Sequence, residues 1–246
     1  MIKNVPDTRR KTTYNWTILL TVNNGFYDFF QNWWWHFRKL DISVPVSVIA
    51  EDDIVFEKLT SLSDSSIEVR RSEYISIDKT VSYDSMLYKK MVSARPTYIL
   101  MYLKNGTNVI YSDLDTVWLQ NPMPYLKGNF DIWSQLDAEN YLCTGFLAIK
   151  SKNVTLKFIQ KWEDALRDTP TLNQPVFNWL VKQSSIKIKQ LHSKRFPSGK
   201  QYFDQFSKTE RLEVVVVHNN WIIGHDKKVK RFQNVNLWVN ETISLV

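Results

Sequence analysis

Two aspartates stand two positions apart where an apolar stretch of the chain stops. The segment VIYSDLDTVWLQNP, residues 109–122, carries Asp113 and Asp115 with no basic neighbour. In extended backbone the side chains at i and i+2 point to one side, so these carboxylates repel unless a cation or a proton lies between them. Such a pair can bind Mg²⁺ or Mn²⁺, and the ion can bind the two phosphates of a nucleotide diphosphate. The triplet alone leaves metal binding and a chance pair equally open.

A histidine and a basic cluster occur much later, in VVVVHNNWIIGHDKKVKRF, residues 214–232. His218 ends an apolar run, and a neutral imidazole is a suitable third ligand for Mn²⁺. Lys227 or Lys228 could neutralise a leaving diphosphate, and Gly224 would let the backbone approach its phosphates. The alternative is that the charged run is a solvated face and that the histidine only ends a strand.

A glutamine–proline pair opens the periodic segment LNQPVFNWL, residues 172–180. It places Gln174 near a predicted helix N-terminus, a common position for polar contacts to a substrate. By itself the pair indicates only a helix that begins with a favourable proline. The tryptophans of NWWWHF, residues 32–37, lie in an amphipathic helical pattern, so we expect them in the core and not in a sugar-binding platform.

The elements that must position these residues alternate between strands and helices. Apolar β-rich runs alternate with segments of helical period up to residue 113, which predicts β-α-β units on a mostly parallel sheet. Ligands of such sheets bind beyond the carboxyl ends of the strands, where Asp113 stands. The predicted strands cover 17–22, 44–50, 67–72, 108–113, 130–136, 144–149, 186–191 and 213–218. The predicted helices cover 25–40, 52–59, 85–106, 153–168 and 174–183.

The composition predicts one large α/β domain over residues 1–246. The chain has 246 residues, of which 43% are hydrophobic, so it can bury a substantial core, and no linker-like block divides it. Its formal net charge of +7 favours anionic partners. Nucleic acid is one candidate partner, although no zinc pattern, aromatic RNA-binding motif or clear helix-turn-helix is present, and a nucleotide or nucleotide-sugar is another.

The same composition favours a cytoplasmic protein without a membrane span. The longest apolar runs are far shorter than a membrane-spanning helix. WTILLTV, residues 16–22, runs into NNGFYDFF without a small-residue cleavage site, which favours a first strand over a secretory signal. The single cysteine, Cys143, excludes an internal disulfide framework and suits a reducing compartment, so the secretory lumen is the less favoured location.

Seven blocks in order make the chain resemble glycosyltransferase family 77, especially the plant cell-wall α-1,3-xylosyltransferases that act on fucose in rhamnogalacturonan II. The blocks are NNGFYDFFQNWW, VIAEDD, VIYSDLDTVWLQNPMPYL, YLCTGFLAIKS, NQPVFNWL, RFPSGKQYF and HNNWIIGHDKKVKRFQNVNLWV. The resemblance implies a GT-A fold with a mixed acceptor half after a Rossmann-like sheet. It also implies a UDP-sugar donor, Mn²⁺ or Mg²⁺, a glycan or glycoprotein acceptor, and transfer with retention at the anomeric carbon.

The resemblance also assigns roles to positions that match the family motifs. Asp113 and Asp115 become the D-x-D, with Asp115 the metal ligand and Asp113 both a ligand and nearer the ribose. His218 becomes the third protein ligand, and Gly224 with Lys227 or Lys228 falls where related enzymes contact the diphosphate. The other implied contacts are Asp137, Thr144 and Gly145 for the donor sugar and Thr21, Asn23 and Asp52 for the base and ribose.

One position departs from the family pattern. Related enzymes usually have Asp-Gln where this chain has Asn173-Gln174, so a carboxylate nucleophile is not expected there. Gln174 remains as a group on the β face of the donor, with Asn173 beside it. The sequence thus predicts a retaining transferase that moves xylose, or next galactose, from a UDP-sugar to a glycan hydroxyl. Its alternatives are a nucleotide-sugar-binding protein whose catalytic half has decayed and a basic nucleic-acid binder.

Overall fold

The computed structural model describes residues 15–62 and 64–239. The strands are β1 (Trp16–Val22), β2 (Val46–Ala50), β3 (Ile67–Arg71), β4 (Asn108–Ser112), β5 (Thr116–Trp118), β6 (Ile132–Ala138), β7 (Tyr141–Ile149), β8 (Ile188–Gln190) and β9 (Val216–His218). The α-helices are α1 (Tyr27–Phe37), α2 (Asp53–Ser61), α3 (Met86–Ser93), α4 (Arg95–Lys104), α5 (Asn153–Arg167), α6 (Asn173–Lys182), α7 (Lys208–Arg211) and α8 (His225–Gln233). A π-helical segment, Lys200–Gln205, precedes α7.

The main sheet has the strand order β3-β2-β1-β4-β7-β6-β8. β3, β2, β1 and β4 run parallel, whereas β7 is antiparallel to both of its neighbours, β4 and β6. The mostly parallel sheet predicted from the sequence is therefore confirmed. Its first half is a β-α-β arrangement, and β7 makes the second half mixed.

Helices cover both faces of this sheet, which explains why its strands read as continuous apolar runs. Ile18 and Leu20 of β1 face the cluster that contains α1 and α2, and Leu19 faces the cluster that contains α4 and α5. The expected burial in the core is confirmed for two tryptophans of α1, because Trp33 and Trp34 have almost no exposed surface, whereas Trp35 is only partly buried. Trp33 packs edge-on against Trp118 of β5, with ring centroids 5.6 Å apart.

A second, two-stranded sheet joins segments that are a hundred residues apart. β5 pairs antiparallel with β9, and Thr116 lies opposite His218 in the register. β5 was not predicted from the sequence. The strand predicted over 213–218 is only three residues long, because the backbone N–H groups of Val214 and Val215 bond outside the strand ladder. This short pairing brings His218 beside the residues that precede β5.

The predicted helix over 85–106 is divided into α3 and α4. Ala94 joins them, and Pro96 in the first turn of α4 has no N–H to continue the ladder of α3. The break buries Arg95, which is only 8% exposed. No helix was predicted after His218, yet α8 follows there, capped at its N-terminus by Gly224 with a φ of +104°. Within 15–62 and 64–239, the helices are all too short or too polar to cross a bilayer.

Candidate active site

The paired aspartates lie in a turn between two strands and not in extended backbone. β4 ends at Ser112 and β5 begins at Thr116, whose N–H and hydroxyl donate to the Asp113 carbonyl at 3.2 and 2.8 Å. Same-side projection from one extended strand was therefore the wrong reason for expecting the carboxylates to converge. The tight turn brings them together instead, at the carboxyl end of β4.

Three side chains converge at this turn. His218 Nε2 lies 3.2 Å from Asp115 Oδ1 and 3.8 Å from Asp113 Oδ2. One ligand atom from each residue lies within 4.8 Å of the other two, and all three are at least partly buried. These separations suit atoms that surround one cation at about 2.0–2.2 Å.

Each carboxylate turns its other oxygen towards a basic side chain. Asp113 Oδ1 accepts from Arg95 Nη2 at 2.5 Å, and Asp115 Oδ2 pairs with the ammonium of Lys228. Burial opposes ionisation of Asp115, but Lys228 and His218 together lower its pKa well below the usual range. Burial also lowers the pKa of His218, yet Asp115 and Cys143 together outweigh it and raise that pKa well above the usual value. Arg95 and Lys228 thus place two basic groups against the paired carboxylates.

Two residues of β7 enclose the histidine. A β-carbon on Gly145 would lie 2.3 Å from His218 Cε1 and 2.5 Å from Asp113 Oδ2, so only glycine fits between β4 and β9. Cys143 Sγ lies 3.4 Å from His218 Nδ1. The thiol contact fixes the ring with Nε2 directed to the two carboxylates. The donor set of two carboxylates and an imidazole fits Mn²⁺, and residues 113, 115 and 218 would hold it.

A second polar cluster centres on Asp137 at the end of β6. Its Oδ2 accepts from Gln174 Nε2 at 3.0 Å, and its Oδ1 accepts from Asn220 Nδ2 at 2.5 Å. The indole Nε1 of Trp221 donates to the Asp137 carbonyl at 3.1 Å. Gln174 also accepts from the N–H of Thr144, the residue before Gly145. The cluster is therefore joined to the metal-ligand group through β7 and through the segment after His218.

A family model described as nucleotide-diphospho-sugar transferase matches residues 43–232. The chain belongs to this family. The matched range contains both aspartates, the histidine and the Asp137 cluster.

Curated relatives of this nucleotide-diphospho-sugar transferase support the resemblance to family 77. UDP-D-xylose:L-fucose alpha-1,3-D-xylosyltransferase of Arabidopsis thaliana is 28% identical over 253 residues, covering 90% of this chain and 69% of that protein. UDP-galactose:fucoside alpha-3-galactosyltransferase of Dictyostelium discoideum is 25% identical over 278 residues, covering 90% of this chain and 42% of that protein.

The solved structures confirm the predicted GT-A fold. The galactosyltransferase LgtC, crystallised with donor and acceptor sugar analogs, matches with a TM-score of 0.60 at 10% sequence identity. The match covers 93% of this chain and 98% of LgtC. At this sequence identity the structural similarity establishes the fold alone. The chemistry of the transferase depends on its own side chains.

The two lysines proposed for the diphosphate occupy different surroundings. Lys228 lies in the first turns of α8 and contacts both Asp115 and, at 2.8 Å, the Asn219 carbonyl. Lys227 is exposed. A β-carbon on Gly224 would meet nothing within 4 Å, so its positive φ and not crowding requires glycine there. The geometry favours Lys228, and its role towards a diphosphate stays a prediction.

Two of the residues predicted beside the donor sugar, Asn173 and Gln174, lie at the start of α6, whereas Asp137 lies on β6 and Thr144 and Gly145 lie on β7. Asn173 is 4% exposed, accepts from the Thr144 hydroxyl at 3.1 Å and donates to the Val92 carbonyl at 2.7 Å. The Asn173 amide therefore fixes α3 and β7 relative to each other. Gln174 is the more open of the two residues. Their contacts to a donor sugar stay predictions.

The residues predicted around the base and ribose are bound to the protein itself. Asp52 caps α2, accepting from Val55 N at 2.8 Å and from Asn24 N at 2.6 Å. Asn23 is 2% exposed and donates to the Lys79 carbonyl at 2.9 Å. Thr21 is linked to Asp113 through the Tyr111 hydroxyl, at 3.2 and 3.1 Å. Their contacts to a nucleotide remain predictions, and their described role is to order the ends of β1 and β2.

Two buried charged residues of this site were missed. Arg95 bonds Asp113 and also donates to the carbonyl and hydroxyl of Thr144, both at 2.9 Å. The sequence signal is Ala-Arg-Pro inside an apolar helical pattern, where proline predicts a break and a buried arginine needs an acidic partner. Glu51, at the end of β2, is 3% exposed. Burial raises its pKa to about 8, against the opposing charge of Arg95.

Proposed function

We propose that this nucleotide-diphospho-sugar transferase moves xylose, or next galactose, from a UDP-sugar to a glycan hydroxyl with a divalent metal ion, preferably Mn²⁺. The reaction retains the configuration of the anomeric carbon. A cytoplasmic location for it stays a prediction.

One observation carries the proposal: Asp113, Asp115 and His218 each offer one ligand atom, and these atoms converge within 4.8 Å at the carboxyl end of the parallel sheet. Open α/β sheets bind nucleotides at this edge. Two hard oxygens with an imidazole are donors that Mn²⁺ accepts, and the cation would answer the repulsion between the carboxylates. The convergence therefore supports a diphosphate carried on a metal ion.

The choice of sugars is supported by the names of the two curated relatives. One is named for UDP-D-xylose and L-fucose, and the other for UDP-galactose and a fucoside. Both names pair a UDP-sugar with a fucose-containing acceptor, although their donor sugars differ. A terminal fucoside is accordingly the acceptor that we propose.

Departure of the diphosphate is the step that the charged residues assist. When bound, the metal ion supplies positive charge to the leaving phosphates. Asp113, Asp115 and His218 would hold it, and Lys228 provides a second cation beside Asp115. Fixed positive groups in a buried site stabilise developing negative charge without having to reorganise during the reaction.

Attack by the acceptor on the donor face that the diphosphate leaves is the route favoured by these side chains. Gln174 offers an amide, and both Asp137 oxygens accept hydrogen bonds from amides, so neither residue is a free nucleophile. In this route the C1–O bond to the β-phosphate breaks as the acceptor oxygen bonds to C1. The acceptor proton passes to the departing β-phosphate oxygen, so configuration is retained without a covalent enzyme intermediate.

A donor assay with a matched variant tests the proposal. UDP-xylose and UDP-galactose are incubated with Mn²⁺, with and without methyl α-L-fucoside, and UDP release and disaccharide are measured. We expect slow hydrolysis of one donor and faster UDP release with the fucoside, both abolished by EDTA. Asp115→Asn keeps the side-chain size but removes the charge, so it should lose both activities.

A protein with a decayed catalytic half gives another result. UDP with Mn²⁺ would raise its melting temperature, yet neither donor would be hydrolysed. Activity unaffected by EDTA, or equal activity in wild type and Asp115→Asn, would contradict the metal-dependent reaction.

A further inference from the structure

Trp221 is an exposed tryptophan at the edge of the candidate active site. It lies three residues after His218, in the segment between β9 and α8, and 55% of its surface is exposed. Burial of so large an apolar ring is normally favourable, so a ring that is exposed beside an active site indicates a surface for a ligand.

The backbone of Trp221 has an unfavourable conformation. Its φ is +60°, in the left-handed region that bulky residues rarely adopt. Strain of this kind persists where surrounding contacts impose it, and it is concentrated at functional sites. Trp179 offers a comparison, because it is 58% exposed but lies in the regular helix α6.

Several contacts hold the segment in this conformation. The indole Nε1 donates to the Asp137 carbonyl, and Asn220 donates to the carboxylate of the same residue. Arg231 Nη1 donates to the Asn220 carbonyl at 2.9 Å. A β-carbon on Gly199 would lie 2.2 Å from that carbonyl, so the π-helical region packs directly against the segment. The polar edge of the ring is thereby fixed to the protein while much of the side chain stays in solvent.

A chain of hydrogen bonds connects Trp221 to the residues around the candidate metal ligands. Asp137 bonds both Trp221 and Gln174, and Gln174 bonds Thr144 beside the glycine that contacts His218. Asp137 therefore connects the Trp221 ring, through Gln174 and β7, to the residues that pack around His218. Lys200 places its ammonium 5.6 Å from the ring centroid, which adds a hydrogen-bond donor for hydroxyl groups.

We propose that Trp221 is the stacking platform for the acceptor sugar, a terminal fucoside, of the reaction proposed above. A 6-deoxyhexose carries a methyl group in place of a hydroxymethyl group and presents C–H groups on one ring face. Such a face buries apolar area against an aromatic ring, and a preorganised ring loses little entropy on binding. This inference rests on the proposed function, because it names the residue that binds the acceptor.

Two substitutions separate stacking from structural support. Trp221→Gly removes the ring and relieves the strain, because glycine adopts positive φ readily, whereas Trp221→Phe keeps an aromatic face and loses the N–H. The KM for methyl α-L-fucoside, hydrolysis of the donor without acceptor, and the melting temperature are measured with Mn²⁺. Trp179→Ala removes an equally exposed ring outside the site and serves as the control.

The Trp221→Gly enzyme should show a fucoside KM raised on the order of tenfold. Its donor hydrolysis should match that of Trp221→Phe, which loses the same indole bond to the Asp137 carbonyl. Trp221→Phe should retain most of the acceptor affinity, and Trp179→Ala should match wild type in all three measurements.

Three results would overturn the inference. In the first, Trp221→Gly leaves the fucoside KM unchanged. In the second, donor hydrolysis and the melting temperature fall below those of Trp221→Phe together with acceptor use, which indicates structural support. In the third, wild type hydrolyses the donor but neither transfers to methyl α-L-fucoside nor binds it, which removes the fucoside as acceptor but leaves the metal-dependent use of the UDP-sugar standing. A wild-type enzyme that hydrolyses no donor would instead remove the proposed function and this inference with it.

Discussion

The backbone of Gly145 lies directly against the imidazole of His218, because an added β-carbon would stand 2.3 Å from Cε1. Gly145→Ala must therefore displace His218 from the two aspartates. We expect a stability loss of about 1–3 kcal/mol from overpacking. Because the ligand atoms no longer converge, Mn²⁺ with UDP should no longer raise the melting temperature in thermal denaturation.

Gly106→Ala is the control for this substitution. A β-carbon there would meet nothing within 4 Å, although its φ of +76° adds a cost of about 1 kcal/mol. Gly106→Ala should keep the stabilisation by Mn²⁺ and UDP. If Gly145→Ala kept it as well, the proximity of glycine and imidazole would be unimportant for metal binding.

Asp115→Ala and Gln174→Ala should differ in the activity that they leave. Asp115 supplies a proposed metal ligand, so its loss should abolish transfer. Gln174 supplies an amide but no nucleophile, so Gln174→Ala should leave a measurable fraction, with a loss on the order of 10²-fold. Transfer rates are compared after circular dichroism has shown that both variants are folded. Equal and complete loss in the two folded variants would count against same-face attack.

Lys228→Ala and Lys227→Ala test adjacent positions in α8. Lys228 pairs with Asp115, whereas Lys227 is exposed to solvent. Lys228→Ala should lower kcat for donor hydrolysis by roughly tenfold to a hundredfold, because one cation near the leaving phosphates is lost. Lys227→Ala should stay close to wild type. The reverse order of the two effects would assign the diphosphate to Lys227.

Glu51 should make stability depend on pH. Burial raises its pKa from 4.5 to about 8, with Arg95 opposing the shift. The folded protein therefore retains a proton that the unfolded chain releases, so this group lowers the free energy of unfolding as pH rises from about 4.5 to 8. Glu51→Gln mimics the protonated carboxyl and should restore at most about 5 kcal/mol above pH 8.

Melting temperatures of wild type and of the Glu51→Gln protein check this prediction. They are measured at about pH 5.5, 7 and 8.5, which lie inside and just above the window of about pH 4.5 to 8. Glu57→Gln, an exposed change on α2, is the control and should follow wild type at each pH. A pH dependence that is identical in wild type and Glu51→Gln would show that the carboxyl is ionised in the folded protein at neutral pH.

Much of the parallel half of the fold could be predicted from local patterns. The runs at β1, β2 and β4 are apolar on both faces, and the helix predicted to end at residue 106 ends at Lys104, shortly before Gly106 with its positive φ. The break at Pro96 was missed because the apolar period continues across it. β5 was missed because a strand of three residues has too few positions to show a period of two.

The sequence by itself determined the chemistry that this protein can offer: the residue types at 113, 115 and 218, the strand ends that carry them, and the family to which the chain belongs. Those features are local or follow the order of the chain. Only the tertiary structure decided how they meet. The β5–β9 pairing sets His218 beside Asp115, and the break between α3 and α4 places Arg95 against Asp113. Trp221 itself adopts a left-handed backbone conformation. Each of these depends on contacts between distant segments, which no local pattern of residues encodes.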